Sequence, residues 1–282
     1  MELSSSPPLD PVYLRELLLF YADAGVDEAL LDEPVDRIAE VAATMFARTA
    51  PPARELPRQQ PALPPEPARP AVAMAVPDDA QAARARELAS KAQSLDELHD
   101  ILAGFDGCNL KFTAKQLVFG DGNSAADLML VGEAPGRDED IEGIPFAGRT
   151  GSLLDRMLAA IGIDRSKGAY IANVVSWRPP GNRAPTVLET EICRPFIERQ
   201  IELVNPKVLV TLGAPPAKVL LDTSDAVLRL RGTWKVHRTA SGSEIPTMPT
   251  LHPLYLLRNP AHKKLVWRDL LEIRAKLEDL RG

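Results

Sequence analysis

The stretch Leu128-Met-Leu-Val-Gly-Glu-Ala-Pro-Gly136 decides the fold of this chain. Its first four apolar residues predict a buried strand, and the Gly-Glu-Ala-Pro-Gly run predicts a sharp turn directly after it. Such a turn presents backbone N–H groups and the carboxylate of Glu133 at the carboxyl end of the strand. Ligands of open α/β sheets bind in the crevice at that end. The stretch therefore predicts a ligand-binding edge.

Two further segments end in the same manner. They are Tyr170-Ile-Ala-Asn-Val-Val-Ser-Trp-Arg-Pro-Pro180 and Pro249-Thr-Leu-His-Pro-Leu-Tyr-Leu-Leu-Arg258. Each predicts a strand that ends in one polar residue, Asn173 or His252, before a loop that contains proline. Because parallel strands end at the same edge of a sheet, we expect both side chains to lie near Glu133.

Strands and helices alternate along the second half of the chain. Strands are predicted at 127–132, 169–175, 207–213 and 245–251, and helices at 148–162, 186–204, 215–221 and 263–280. This alternation implies right-handed crossovers and a parallel sheet. The predicted fold class is α/β, a three-layer αβα sandwich around a central four-stranded parallel sheet.

The front of the chain differs from the rest in composition. Amphipathic patterns predict helices at 12–24 and 35–46, and eight prolines between residues 51 and 70 predict a polyproline-like linker. We therefore expect an N-terminal helical extension at 1–50, a disordered Pro-rich linker at 51–77 and a catalytic domain at 78–282. Two roles stay open for residues 1–77: they could contact a protein partner, or the Pro-rich part could simply be disordered.

The charge of the chain is unevenly distributed. The net charge of −6 argues at first against a nucleic-acid partner. However, residues 1–100 carry 9 Lys or Arg and 18 Asp or Glu, whereas residues 101–282 carry 24 and 21. The second part of the chain is thus mildly basic, and a modest basic surface is compatible with reversible binding of a nucleic acid.

We expect neither a secretory signal nor a membrane span. No stretch approaches the ~20 apolar residues of a membrane span, and Met1-Glu-Leu-Ser-Ser-Ser lacks the pattern of a secretory signal. Only two cysteines occur, which argues against a disulfide scaffold and fits a reducing compartment. We expect a monomeric cytoplasmic protein that acts at the nucleoid and contacts no membrane.

Taken together, the three strand-end segments resemble the active-site motifs of the uracil-DNA glycosylase superfamily, most closely its type-4, iron–sulfur branch. The resemblance covers roughly residues 95–280. It implies a monofunctional enzyme of base excision repair, which hydrolyses the N-glycosidic bond of uracil in DNA and leaves an abasic site. The implied partner is uracil-containing DNA.

The resemblance also implies roles for the residues of the pocket. Asn173 would bond the O4 and N3–H of uracil, and Phe146 would stack on the flipped base. His252 would stabilise the negative charge that grows on uracil O2. The other three histidines are expected at the surface: His99, His237 and His262.

The strand-end turn contributes Gly132, Glu133 and Ala134 to this expected pocket. Glu133 would hold or activate water, or offset positive charge on the sugar. The best-known branch of the superfamily has a Gln-Asp pair in this turn, but this chain has Ala134 there, as type-4 enzymes do. The acidic run at 138–140 therefore stays open as an alternative source of the carboxylate: Asp138, Glu139 and Asp140.

The loop after His252 is the expected DNA-facing surface. Leu254 would act as a wedge that fills the gap left by the flipped nucleotide. Type-4 members often have a small residue at this position. The expected phosphate contacts are Arg149, Arg183 and Arg258.

The cysteine pattern departs from the type-4 branch, whose members hold a [4Fe–4S] cluster through four cysteines. Here Cys108 and Cys193 occupy two of the four positions, and Phe105 and Trp177 occupy the other two. We therefore expect no metal and no cofactor, with aromatic side chains packed in the volume of the cluster. The alternative is a residual iron site at Cys108 and Cys193.

Three other functions can be compared with the glycosylase. A catalytically weakened DNA-binding relative could sense uracil or recruit repair proteins, as the lost cluster cysteines and the Pro-rich tether suggest. A generic nucleotide-binding α/β protein is disfavoured, because the chain has neither a Gly-x-Gly-x-x-Gly fingerprint nor a Walker loop. Covalent crosslinking to uracil is also disfavoured, because the loop Arg178-Pro-Pro-Gly-Asn-Arg183 is short and lacks histidine.

Overall fold

The computed structural model describes residues 79–281. The helices predicted at 12–24 and 35–46, and the linker predicted at 51–77, lie outside these residues. The described α-helices are α1 Asp79–Lys91, α2 Leu95–Gly104, α3 Leu110–Thr113, α4 Arg137–Glu142, α5 Gly148–Ala160, α6 Arg165–Gly168, α7 Val187–Val204, α8 Ala214–Leu221, α9 Val227–Leu230, α10 Pro253–Arg258 and α11 Lys263–Arg281. Two short 3-10 turns lie at Pro180–Asn182 and Pro260–His262.

The strands form one mixed sheet in the order β1-β3-β2-β4-β6-β5. The central strands β3, β2, β4 and β6 are mutually parallel, and β1 and β5 pair antiparallel at the two edges. The strands are β1 Asp121–Gly122, β2 Leu128–Gly132, β3 Ala169–Asn173, β4 Val208–Leu212, β5 Lys235–Arg238 and β6 Glu244–Thr250.

The structure confirms the predicted α/β class and its four parallel strands. It adds two edge strands that the sequence analysis did not predict. β1 is only two residues long, and three of the four residues of β5 are exposed. Neither segment carries the apolar run by which a buried strand is recognised.

Helices cover both faces of the sheet. Side chains alternate along each strand, so that Met129 and Val131 face one cluster of core residues while Leu128 and Leu130 face the other. The first cluster is completed by α1, α2 and α7, and the second by α5, α10 and α11. These two cores hold the sheet rigid, and all the loops at the carboxyl ends of the parallel strands emerge at one edge. None of the described helices is long and apolar enough to cross a lipid bilayer.

Candidate active site

The ends of β2 and β3 place the first two site residues side by side. Gly132 and Asn173 are paired in the parallel register of the sheet. The pairing continues into the loops, because the N–H of Val174 donates to the Gly132 carbonyl at 2.9 Å and the N–H of Val175 donates to the Glu133 carbonyl at 3.0 Å. The backbone of the strand-end turn is therefore fixed beside Asn173.

Gly132 is required by the close approach of two side chains. A Cβ at this position would lie 2.4 Å from Oδ1 of Asn173 and 2.7 Å from Cζ of Phe146. Both distances are too short for a carbon atom. The absent side chain thus lets the Asn173 amide and the Phe146 ring pack directly onto the end of β2.

A cavity of about 780 Å³ opens at this edge of the sheet. Of the ten residues predicted for the catalytic, substrate-binding and DNA-binding roles, all but Gly132 line it, and Gly132 lies beneath Asn173 and Phe146. The nine lining residues are Glu133, Ala134, Phe146, Arg149, Asn173, Arg183, His252, Leu254 and Arg258. The structure therefore brings these dispersed positions together at one place.

The amide of Asn173 is available for a ligand. The residue is 4 % exposed, and within the described residues its side chain makes no hydrogen bond. Buried amides normally have partners, because an unpaired polar group is costly in the interior. An unpaired donor and acceptor at the wall of a cavity can therefore read a complementary edge on a bound molecule.

Glu133 differs from the neighbouring acids. Burial raises the pKa of its carboxyl, and no cation or hydrogen-bond donor within the described residues compensates for this. Glu139 accepts hydrogen bonds from the N–H of Gly136 at 3.1 Å and from the hydroxyl of Thr150 at 3.4 Å. A partly desolvated carboxylate without partners is suited to acid–base or electrostatic work.

The remaining acids of the turn occupy different positions. Asp140 does not line the cavity; it is 2 % exposed and accepts a hydrogen bond from the N–H of Lys115 at 2.7 Å. Its carboxylate also lies 3.7 Å from the Arg178 guanidinium. Asp138 lines the cavity but is exposed. Glu133 thus combines partial burial at the cavity wall with the absence of a described partner, whereas Asp138 is exposed and Glu139 and Asp140 have hydrogen-bond donors.

His252 is held as a neutral ring in one tautomer. It is the N-cap of α10, and its Nδ1 accepts a hydrogen bond from the N–H of Leu254 at 3.0 Å. Burial lowers the pKa of this imidazole to about 4. Because Nδ1 must be unprotonated to accept this bond, the proton of the neutral ring lies on Nε2. His252 therefore offers one hydrogen-bond donor, its Nε2–H. The centroids of the His252 and Phe146 rings are 5.3 Å apart.

The rim of the cavity is basic but unevenly so. Arg149 and Arg258 are exposed and form no ion pair within the described residues. Arg183 instead bonds both carboxylate oxygens of Glu189, at 2.8 and 2.6 Å. Leu254 is 42 % exposed, so an apolar side chain projects at the rim beside the arginines.

Several residues around the site were not predicted from the sequence. Tyr255 and Leu257 of α10 also line the cavity. Both lie in the DNA-facing stretch expected after His252, but neither was given a role, and the i, i+3 spacing from Leu254 indicates only Leu257. A smaller apolar cavity of about 240 Å³ adjoins the first and shares Glu133, His252 and Tyr255 with it. Glu133 and His252 therefore have mainly apolar surroundings on the side of this second cavity as well.

One histidine was misplaced by the sequence analysis. His237 was expected at the surface, but it is 3 % exposed and its Nδ1 lies 2.8 Å from the Leu220 carbonyl oxygen. His237 is the inward-facing residue of β5, between exposed neighbours. The side chain of His237 faces α8, whereas Val236, the apolar residue of this strand, is exposed.

The two cysteines lie in a buried hydrophobic region, and they are fewer than the four thiolates that an iron–sulfur cluster of the type-4 branch needs. Cys108 and Cys193 are both buried as free thiols, and their Sγ atoms are 4.0 Å apart. Phe105 and Trp177 are 3 % and 2 % exposed in the same core cluster. Within residues 79–281, no three His, Cys, Asp or Glu side chains could hold a metal ion together. These residues do not fit a four-thiolate cluster.

Comparisons with known proteins agree with this geometry. Residues 119–271 match the family model described as the uracil DNA glycosylase superfamily. Three proteins named type-4 uracil-DNA glycosylase are similar to the chain. The protein from Saccharolobus solfataricus is 36 % identical over 65 % of this chain and 87 % of its own length. The protein from Archaeoglobus fulgidus is 39 % identical (64 % and 92 %), and that from Thermotoga maritima is 39 % identical (58 % and 84 %). The chain therefore belongs to the uracil-DNA glycosylase superfamily.

Proposed function

We propose that this chain is a DNA repair enzyme that hydrolyses the N-glycosidic bond of uracil in DNA and leaves an abasic site. One observation carries the proposal: the unpaired Asn173 amide, the Phe146 ring and the Nε2–H of His252 line one cavity at the ends of three parallel strands. The names of the relatives support the same activity.

Base selection follows from the amide of Asn173. One amide can donate to O4 and accept from N3–H of uracil. Cytosine has an amino group in place of O4 and an acceptor in place of N3–H, so both bonds would be mismatched. A buried site whose polar groups would be left unpaired rejects the wrong base strongly. The Phe146 ring offers a flat apolar face for stacking on the base that passes this test.

Bond cleavage requires that two opposite charges be stabilised. As the glycosidic bond breaks, the base gains negative charge and the sugar gains positive charge. His252 donates from Nε2 toward the charge on the leaving base, and its pKa of about 4 keeps the ring neutral at physiological pH. The Glu133 carboxylate offsets the charge on the sugar or orients the attacking water.

The enzyme is monofunctional in this proposal. A lyase step on the abasic product would need an amine that forms a Schiff base with the sugar. No lysine is among the residues that line the main cavity in the described part of the chain. Water therefore adds to the sugar carbon from which the base departs, and the DNA backbone is left intact.

The rim binds the DNA. Arg149, Arg183 and Arg258 contact phosphates, and Leu254 enters the space that the flipped nucleotide leaves. The cavity is built from one chain, so we propose that the enzyme acts as a monomer. The two free thiols suit a reducing cytoplasm. Residues 1–77 would contact a protein partner.

The iron–sulfur cluster of the branch is replaced by side-chain packing in this proposal. Phe105 and Trp177 take two ligand positions, and the Phe105 ring packs against Phe196 with centroids 5.3 Å apart. Protein purified without oxygen should contain no stoichiometric iron and show no visible iron–sulfur absorption. Iron at four atoms per chain would reject this part of the proposal.

The decisive experiment is excision from a labelled oligonucleotide that contains one uracil, followed by alkaline cleavage at abasic sites. Wild-type protein should cleave at uracil only, and Asn173→Ala and His252→Ala should each slow excision by about 100- to 1000-fold. Oligonucleotides with cytosine or thymine at that position are the substrate controls. If folded wild-type protein binds uracil-containing DNA without excising uracil, the chain is a sensor or recruitment protein instead.

A further inference from the structure

The backbone at Phe146 adopts a conformation that residues with side chains rarely adopt. Its φ is +53°, in the left-handed region, although the residue carries a large ring. Such conformations persist only where the surrounding structure enforces them, and they cluster at functional sites. The ring is 4 % exposed and lines the main cavity. Something must therefore hold this turn in place.

Arg165 contacts the turn from behind. One of its terminal nitrogens, Nη1, donates to the Phe146 carbonyl at 3.1 Å, and Nη2 donates to the carbonyl of Pro145. Two consecutive carbonyls are thus held by one planar guanidinium. This side chain is 17 % exposed and does not line the cavity.

The guanidinium is itself anchored on two sides. Its Nε donates to Asp121 of the edge strand β1 at 2.7 Å, and Nη1 also lies 3.2 Å from Asp155 of α5. Charge-assisted bonds to a fixed fork define its orientation more strictly than a single contact would. Arg165 therefore connects the sheet edge, α5 and the turn that carries Phe146.

Gly151 restricts the same turn from the opposite direction. A Cβ at Gly151 would lie 1.7 Å from the Phe146 carbonyl oxygen. The turn is thus packed against the backbone of α5 while its carbonyls are bonded by Arg165. The Phe146 ring has little freedom to leave the cavity wall.

We propose that Arg165 is a positioning residue for base stacking: it touches neither base nor DNA and acts by holding the left-handed turn that aims the Phe146 ring. This inference rests on the proposed function, since stacking matters only if a base enters the cavity. A ring displaced by about 1 Å would no longer support the base in the geometry that hydrolysis needs.

The first test is Arg165→Lys, which keeps the charge but cannot bond two carbonyls and two carboxylates in one plane. Its single-turnover excision at saturating DNA should fall by about tenfold to a hundredfold, with DNA affinity unchanged. Arg156→Lys is the matched control, because Arg156 is an exposed residue of α5 whose one hydrogen bond within residues 79–281 is to the Ser152 carbonyl. Excision by a folded Arg165→Lys at the control rate would overturn the proposal.

A double-mutant cycle separates positioning from general support. Phe146→Ala removes the ring through which Arg165 acts, so the variant with both changes should be no slower than Phe146→Ala alone. Losses that multiply would show that Arg165 acts independently of the ring, and the proposal would fail. Gly151→Ala should behave like Arg165→Lys, although alanine favours a helix more than glycine does.

A measurement without substrate keeps the two proposals apart. The backbone ¹³C chemical shifts of Phe146 report its φ directly in the full-length protein. We expect left-handed values in the wild type and in Arg156→Lys, and a shift toward ordinary values in Arg165→Lys. Unchanged shifts would overturn the role of Arg165, whereas a wild type that does not excise uracil would overturn the proposed function alone.

Discussion

The cavity and the cysteine region differ in how their side chains are partnered: the cavity has unpaired polar groups, and the cysteine region is packed with apolar side chains. At the cavity, Glu133 and Asn173 have no partners in the described structure. Cys108 and Cys193 belong instead to a cluster of buried apolar side chains, which includes Phe105, Trp177 and Phe196. The cavity leaves polar groups unpaired so that they can act on a ligand. The cysteine region contributes stability through packing. The two regions should therefore respond differently to substitution: one in rate and the other in stability.

The largest expected effect lies in the cysteine region. Trp177→Ala should lower the free energy of unfolding by about 3–5 kcal/mol, because it empties a fully enclosed site in the core. Urea denaturation measures this loss. Trp267→Ala is the matched control, since Trp267 is 43 % exposed and its removal should change stability by about 0.5 kcal/mol or less. Equal losses for the two tryptophans would mean that the region is not a packed core.

The next effect lies in the cavity. Gly132→Ala should slow uracil excision on the order of 100-fold, about 2.7 kcal/mol in activation free energy, because the new Cβ displaces the Asn173 amide and the Phe146 ring. Single-turnover kinetics measure the change. Gly104→Ala is its control, because a Cβ there meets nothing within 4 Å. A Gly132→Ala enzyme with the wild-type rate would contradict the tight packing at the end of β2.

The three strands that end at the cavity could be predicted from the sequence. The apolar runs before Gly132, Asn173 and His252 defined three strands, and parallel pairing then placed their ends at one edge. Local pattern was enough, because strand ends in a parallel sheet converge whatever else surrounds them.

The contacts that the sequence did not indicate are between distant positions. Arg165 lies 44 residues from its partner Asp121 and 19 from Phe146. The edge strands depend on pairing with central strands and not on their own apolar content. No periodicity in the chain encodes such tertiary contacts.

A smaller and pH-dependent effect is expected at Glu133. In the proposed mechanism its carboxyl acts in the ionised form, so wild-type excision should fall as pH drops through the raised pKa of this group. Glu133→Gln should be slower at neutral pH and should lack this acid limb down to about pH 4, where His252 becomes protonated. Initial rates measured across this pH range test both statements.

The same residue should affect stability in the opposite direction. A carboxyl whose pKa is raised by burial binds protons more tightly when folded, so its ionised form destabilises the fold above that pKa. Glu133→Gln should therefore raise the melting temperature at pH 7, and the difference from wild type should shrink as pH falls. A lower melting temperature at pH 7 would mean that Glu133 has a stabilising partner.

The smallest effects are expected at the rim. Arg258→Ala should weaken DNA binding at every sequence and reduce the slope of log affinity against log salt by about 0.9. Arg183→Ala should reduce it less, because Glu189 already offsets this charge. Fluorescence anisotropy at several salt concentrations measures both slopes. A larger change for Arg183 would show that its bond to Glu189 opens when DNA binds.

The hydrogen bond from the Leu254 N–H to His252 Nδ1 couples the residue proposed to enter the DNA to the residue proposed to stabilise the leaving base. The residue at the rim and the ring that stabilises the leaving base are tied by the first turn of α10. A displacement of Leu254 by bound DNA would therefore also shift the imidazole. Protonation of Nδ1 would break the hydrogen bond that holds the backbone of Leu254. Under the proposed function, capture of the base and cleavage of its bond would therefore depend on each other. A substitution at His252 would change the contact of Leu254 with DNA as well as the rate of excision.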